Sequence, residues 1–388
     1  MFDNIESWVI DIRRELHSHP ELGFEEYYTS NRIKSLLKEM GIEYYEAAKT
    51  GVVGIIRGGY SGKTVGLRAD MDALPINEEN TLPYKSQNQG RMHACGHDAH
   101  TAVLLGTAKV LNSMKDKLHG NVKLIFQPGE ETTGGAKPMI AEGVLENPHV
   151  DCMFGLHVSN DFPAGSIGVK YNKAYAASDM FDVIIKGKSS HGASPEEGCD
   201  AIAAAASLIS SLQTVVSRNV SPLDSAVVTI GTIKGGSARN VICDKVEMSG
   251  IIRTLTPETR ALVLSRVRTL VETVPKAMGA QGEFIRYESY TCLINNDSCV
   301  DVVKQNGKRL LGPDHVHVVA LPQLGVEDFA YFAEAVPSAF FFLGCRKSQD
   351  GEVFSAHNPR FDIDEACLIT GVKMQVANVL SVLQDNAL

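Results

Sequence analysis

Val122-Lys123-Leu124-Ile125-Phe126-Gln127-Pro128-Gly129-Glu130-Glu131 is an apolar run that breaks at Pro-Gly into two adjacent carboxylates. Its shortness and abrupt end suit a buried strand rather than a helix. Outward from it, further short β-like runs stand at Val52–Ile56, Thr64–Leu67 and Met153–Leu156. Segments with helical spacing accompany them. Ile5–Leu16 carries Ile5, Val9, Ile12 and Leu16 on one side, Thr29–Met40 stops at Gly41, and Thr101–Leu111 is apolar and Ala-rich. Strands alternating with helices predict an α/β sheet with helices on its faces.

The pattern changes near Asp179. Phe181–Ile185, Ala226–Ile230 and Lys245–Ile252 alternate as half-buried strands do, and Ala201–Val216 and Pro257–Met278 have helical character. That is a compact α+β unit. The α/β pattern resumes after Asn295 and ends in a helix over Ile369–Leu383. A chain of 388 residues exceeds one ordinary core. The expected organisation is a discontinuous domain over 1–178 and 291–388, with a mixed sheet flanked by helices, and a smaller α+β domain inserted at 179–290.

Composition narrows the function classes. With 44% hydrophobic and 21% charged residues the chain is of globular type. A net charge of -9 argues against a nucleic-acid partner, which favours a basic face. Met1–Glu6 lacks the basic and apolar regions of a signal peptide, and no apolar run is seen to approach the ~18 residues of a membrane span. A cytoplasmic protein without membrane partners is expected. The eight cysteines are scattered with no CxxC pair, and read as free, mostly buried thiols. Gly58-Gly59-Tyr60-Ser61-Gly62-Lys63-Thr64 looks like a phosphate loop, but Arg57 stands where that motif needs Gly, and a strand follows instead of a helix. A hairpin turn is expected there.

Three segments carry chemistry. In Met92-His93-Ala94-Cys95-Gly96-His97-Asp98-Ala99-His100, Cys95-x-His97 sets a thiol and an imidazole close together, both ligands for a borderline-soft divalent ion. Glu130 and Glu131 follow a strand end, where α/β active sites collect. Pointing in different directions, one would ligate a metal while the other acts as general base. Asp70 and Asp72, just past the strand Thr64–Leu67, suit acceptors that orient ligating imidazoles. Each has an ordinary alternative: a chance histidine cluster, a solvated acidic turn, a plain turn. His157 and His357 stand singly, and a lone histidine is usually structural.

Taken in order, these segments resemble the M20 metallopeptidase family, and more narrowly its aminoacylase/hippurate hydrolase branch, which includes auxin-conjugate hydrolases. The resemblance runs through His17–Glu26, Gly66–Pro75, Met92–Thr101, Gln127–Glu131, Gly155–His157, Ser190–Pro195, Gly235–Asn240, Glu327–Phe329 and His357-Asn358. It implies a catalytic domain with an inserted lid and dimerisation domain, and two divalent metal ions per subunit. Cys95 would be shared by both ions, in the place of an Asp in other branches. His97, Glu131, His157 and His357 would complete the sites. Glu130 would be the general base and Asp72 would steady a ligand. Asp70 falls where other branches carry a ligating His and receives no role. His191 would help stabilise the oxyanion, often across a homodimer. Asn240 and Arg253 would bind substrate, Arg253 at its carboxylate.

The implied reaction is hydrolysis of the amide of a small N-acyl amino acid, with Zn²⁺ or Mn²⁺ expected and Co²⁺ or Ni²⁺ also suited to the ligand set. A dipeptidase or aminopeptidase on the same site is the nearest alternative, and a non-catalytic sensor of amino-acid derivatives another. Leu324-Gly325-Val326 ahead of Glu327, and Glu196–Ala201 after Pro195, depart from the family pattern and bear on substrate fit.

Overall fold

A computed structural model describes residues 2, 4–347 and 352–385. The backbone divides into two compact units. One comprises Met1–Ala174, Ile294–Leu321 and Asp328–Leu388, the other Tyr175–Leu293 and Pro322–Glu327. The short return of Pro322–Glu327 to the second unit has no signature in hydrophobic pattern.

Among the described residues the first unit is built on an eight-stranded sheet. In spatial order its strands are Glu43–Ala47, Gly51–Arg57, His119–Gln127, Tyr60–Asp70, Cys152–Pro163, Ser338–Arg346, Ile167–Val169 and Val316–Val318. The first three pair antiparallel, the next three join in parallel, and an antiparallel pairing leads into the last two. The expected mixed sheet flanked by helices is therefore present. Its central strands are buried at successive positions, as in Val52, Val53, Ile55 and Ile56, because both faces are covered. The helix His97–Ser113 is buried over nearly its whole length, since its small and apolar residues occupy every side.

Two expectations are corrected here. Gly51–Arg57 and Tyr60–Asp70 are consecutive but do not form a hairpin. Both pair with His119–Gln127, which lies between them. The glycines serve close approach instead: a Cβ at Gly58 would stand 2.1 Å from the Gly120 carbonyl oxygen, and one at Gly62 2.1 Å from that of His119. Further, Ala366–Gln384 and Ala201–Asn219 are both long and apolar enough to cross a membrane. The first is mostly buried, through residues such as Leu368, Val372, Val376 and Val379, and packs as a core helix. The second owes its apolarity to an alanine run beside Leu208 and Leu212.

Lys123, on the central strand, shows how a charge is held in this core. Its side chain is buried, and its Nζ donates to the carbonyls of Val144 (2.9 Å), Glu146 (2.7 Å) and Pro148 (2.8 Å). Lys123→Met keeps the volume and leaves those carbonyls without their donor. We expect a loss of about 2–3 kcal/mol, read by urea unfolding.

The second unit is a four-stranded antiparallel sheet in the order Gln281–Glu288, Ala177–Lys186, Lys245–Thr254, Ala226–Gly235. Phe181, Val183 and Ile185 alternate inward and meet Ala201, Ala205 and Leu208 of one helix and Val263, Val267 and Val271 of another. The helix Ala201–Thr214 starts at Asp200, whose carboxylate accepts from the Ile202 and Ala203 amides. Pro257–Ala277 starts at Thr256, whose hydroxyl accepts from the Thr259 amide.

Candidate metal centre and active site

Three adjacent parallel strands bring the first unit's chemistry to one level. Gln127 pairs with Asp70, and Arg68 with Gly155. The residues just beyond, Glu130–Glu131, Asp72 and His157, thus share the carboxyl end of the sheet, where open α/β sheets bind ligands. His157 lies within the strand Cys152–Pro163 and not after it, as its sequence position suggested. Cys95 and His97 stand at the start of the helix His97–Ser113. Gly96 between them has φ +91°, and a Cβ there would meet Val158 Cγ2 at 2.4 Å, so the turn requires glycine. His357 also has positive φ (68°). Its amide donates to the Ala94 carbonyl at 2.8 Å, pinning its loop to the Cys95 segment.

Cys95, His97 and His157 each offer a ligand atom within 4.8 Å of the others, and so do Cys95, Glu131 and His357. The thiol therefore belongs to both triplets. His97, Glu130 and Glu131 form a further such group. The two neighbouring glutamates both come within reach of His97, but only Glu131 also joins Cys95 and His357.

Hydrogen bonds fix how the imidazoles are presented. The His157 Nδ1–H donates to the Val158 carbonyl at 2.8 Å, leaving Nε2 at 3.3 Å from Cys95 Sγ. Burial, reinforced by His100, lowers this ring to about 3 and keeps it neutral. Nδ1 of His97 lies 3.3 Å from Asp72 Oδ1, and the other oxygen of Asp72 accepts the Glu131 amide at 2.9 Å. Asp72 thus steadies two neighbours at once, as carboxylates behind ligating histidines do.

His100 has no ligand capacity left. Its Nε2 accepts the Val158 amide at 2.9 Å, so the proton sits on Nδ1 and is donated to Asp70 Oδ1 at 2.5 Å. Arg68 takes the other oxygen of Asp70 at 2.7 Å, and a second nitrogen of Arg68 donates to Asp328 at 2.8 Å. Asp70 is thereby anchored on both oxygens, and its Oδ2 also stands 3.7 Å from His97 Nε2. Sequence reasoning missed His100, Arg68, Gln127 and Asp328. Only the unusual charge of Arg68 within an apolar strand pointed to them.

The chain's own electrostatics test whether a cation fits. His97 Nε2 and Glu131 Oε1 are buried with no well-formed hydrogen bond, 3.9 Å apart. Burial opposes a charge on His97, yet Asp70 and Cys95 outweigh it and hold its pKa well above the usual value. Positive charge is favoured at a nitrogen whose nearest carboxylate oxygens, on Asp70 and Glu131, stand 3.7 and 3.9 Å away. Burial pushes the Cys95 thiol well up, so its thiolate needs a nearby cation. On Glu131 burial raises the pKa, but His357 and His97 more than offset it and leave the carboxylate ionised. A thiol, three imidazoles and carboxylates at this spacing fit divalent ions of the zinc and manganese type.

In the second unit, His191 and Asn240 are exposed and joined through backbone, Gly192 N–H donating to the Asn240 carbonyl at 2.8 Å. The Ala193 amide donates to His191 Nδ1 at 3.0 Å, so the neutral ring carries its proton on Nε2 as an outward donor. Arg253, half-buried on Lys245–Thr254, donates to the Ser178 hydroxyl and makes no ion pair with a carboxylate among the described residues.

Comparison with known proteins gives the family. Peptidase family M20/M25/M40 matches residues 66–380. An N-acetylcysteine deacetylase of Bacillus subtilis is 41% identical over 93% of this chain and 93% of its own length. An IAA-amino acid hydrolase of Arabidopsis thaliana is 39% identical over 98% of this chain and 88% of its own. The crystal structure of a dinuclear metal-binding M20 peptidase from Bacillus subtilis superposes with a TM-score of 0.84 at 36% identity, covering 98% of this chain and 99% of that one. With the family matched over most of its length and relatives near 40% identity over nearly all of it, the chain belongs to the M20/M25/M40 peptidase family.

Proposed function

We propose that the protein is a binuclear metal amidohydrolase that splits N-acyl amino acids into a carboxylate and a free amino acid. The observation that carries this is the Cys95 thiol common to two ligand triplets, with the Glu130 carboxylate beside them. Cys95, His97, Glu131, His157 and His357 would hold the metals, with Zn²⁺ or Mn²⁺ the proposed occupants. When bound, a pair of divalent cations supplies Lewis acidity that acidifies water and polarises an amide carbonyl. Glu130 takes the proton of the attacking water and returns it to the departing nitrogen, whose lone pair is tied into the carbonyl until it is protonated. Asp72 holds His97 and Glu131 in register during that transfer. His191 presents Nε2–H to the developing oxyanion, a contribution of about 3 kcal/mol per donor. Arg253, with no ion pair to a carboxylate among the described residues, suits the α-carboxylate of the substrate, and Asn240 a neighbouring polar group.

The similarity to a deacetylase of N-acetylcysteine and a hydrolase of IAA–amino acids supports an amino acid as the amine product. A homodimer through the second unit belongs to the same proposal, supported by the open edge of its outer strand Ala226–Gly235. So does a reducing, cytoplasmic setting, supported by eight free cysteines.

The test is amine release from N-acetyl and N-benzoyl amino acids beside unblocked dipeptides, on metal-stripped protein with Mn²⁺, Zn²⁺ or Co²⁺ restored. Metal-dependent cleavage of the acylated set alone is expected. Cleavage of free dipeptides alone would transfer the assignment to a peptidase. Silence across the panel with two ions bound would leave either an acyl group outside the panel or a sensor.

A further inference from the structure

Glu26 is an acidic side chain sealed in the core, and none of the roles above uses it. It is fully buried. One carboxylate oxygen accepts the amide of Gly129 at 2.9 Å, and the other accepts the hydroxyl of Thr50 at 2.6 Å. Gly129 immediately precedes Glu130. The neighbours of Glu26 press on the same turn. Gly129 has φ +66°, and a Cβ on it would stand 2.4 Å from the Phe24 ring. A Cβ on Gly23 would meet Thr132 Oγ1 at 2.6 Å and Gly129 Cα at 2.9 Å. Phe24 itself has φ +61°, a costly conformation for an aromatic residue that persists only under surrounding constraint. The carbonyl of Gly129 is occupied as well, accepting the Gly134 amide at 3.0 Å. Both ends of the residue ahead of the general base are therefore fixed.

We infer that Glu26 is a positioning residue for the catalytic base: its buried carboxyl, held by Thr50, orients Gly129 and so sets where the Glu130 carboxylate stands. The inference rests on Glu130 being the base. Burial, partly offset by the Thr50 hydrogen bond, pushes the Glu26 carboxyl up to about 7. The role does not depend on its charge, since the oxygen facing Gly129 accepts in either protonation state. Nor does it run through the metal ligands, because the Glu131 amide has its own acceptor in Asp72. The signature is consequently a fall in kcat without loss of metal.

The experiment compares Glu26→Ala, Glu26→Gln and Thr50→Val with Glu130→Gln in the metal-loaded protein. It reads kcat and KM on an N-acyl amino acid, and metal stoichiometry and affinity by calorimetry on stripped protein. Glu26→Ala should lower kcat by ~30-fold, with KM within ~2-fold and metal affinity within ~3-fold, as expected for a slightly misplaced base. Glu26→Gln keeps an acceptor for Gly129 and a donor for Thr50, and should restore kcat to within ~3-fold of wild type. Thr50→Val loosens the carboxyl without removing it and should fall between. Wild-type kcat in Glu26→Ala, equal impairment of Gln and Ala variants, or a loss that follows metal content would each overturn the inference. Should Glu26→Ala not fold, Thr50→Val decides, wild-type kcat with full metal content being the negative result. A Glu130→Gln variant at wild-type rate would instead strike at the assignment of the base, so the two failures are separable.

Discussion

Glu130→Gln should bind its full complement of metal and hydrolyse N-acyl amino acids slower by ~10³-fold, the middle of the range for a general acid–base residue. The substitution preserves shape and removes only basicity. Glu130 shares with His97 and Glu131 a space where ligand atoms lie within 4.8 Å, but the triplets that share Cys95 are complete without it. Metal titration should therefore be unchanged while kcat collapses at similar KM, the pattern of an interaction made in the transition state alone. A variant within tenfold of wild type would remove Glu130 from the mechanism.

Cys95→Ala should have the opposite signature. The thiol is the donor common to the triplets with His97–His157 and with Glu131–His357, so its loss weakens both at once. Metal content should fall from two equivalents to one or fewer. Lewis-acid assistance is worth several kcal/mol, so activity should fall on the order of 10³-fold. Cys95→Asp restores a negatively charged donor of the kind found in other branches, and should recover the second equivalent. Inductively coupled plasma analysis of dialysed protein reads the difference. Two tightly held equivalents in Cys95→Ala would show that the thiol is a bystander.

Much of this centre was legible in the sequence because its donors are chemically conspicuous. Cys95, His97 and the paired glutamates after Pro128-Gly129 carry their chemistry in their identity, whereas His157 and His357, standing singly, came only from the family resemblance. The supporting residues carry no such mark. His100 lies in the same histidine-rich stretch as His97, yet both its ring nitrogens are consumed by Val158 and Asp70. Only three-dimensional bookkeeping of donors and acceptors separates a ligand from a strut. Glu26 reads as an unremarkable acid between Glu25 and Tyr27. Its burial depends on Thr50 and Gly129, partners remote in sequence.

Strand and helix identities followed from periodicity, but strand order did not. Nothing in Gly51–Arg57 or Tyr60–Asp70 announces that a later strand separates them, because alternation specifies which face is buried and not which neighbour is paired. Glu130 and Glu131 were expected to take different roles just past a strand end; both lie near His97, and only Glu131 also joins Cys95 and His357.

The chain order of the proposed metal-binding groups has a consequence for biosynthesis. Cys95, His97, Glu131 and His157 leave the ribosome within 62 residues of one another, whereas His357 follows 200 residues later. The helix Ala366–Asp385, which completes the core around His97–Ser113, comes after it. At elongation rates of about 5–20 residues per second, the nascent chain carries a reactive thiol and an open half-site for tens of seconds. On the proposed ligand set, tight retention of both ions would have to await the arrival of His357 and the folding that closes the site.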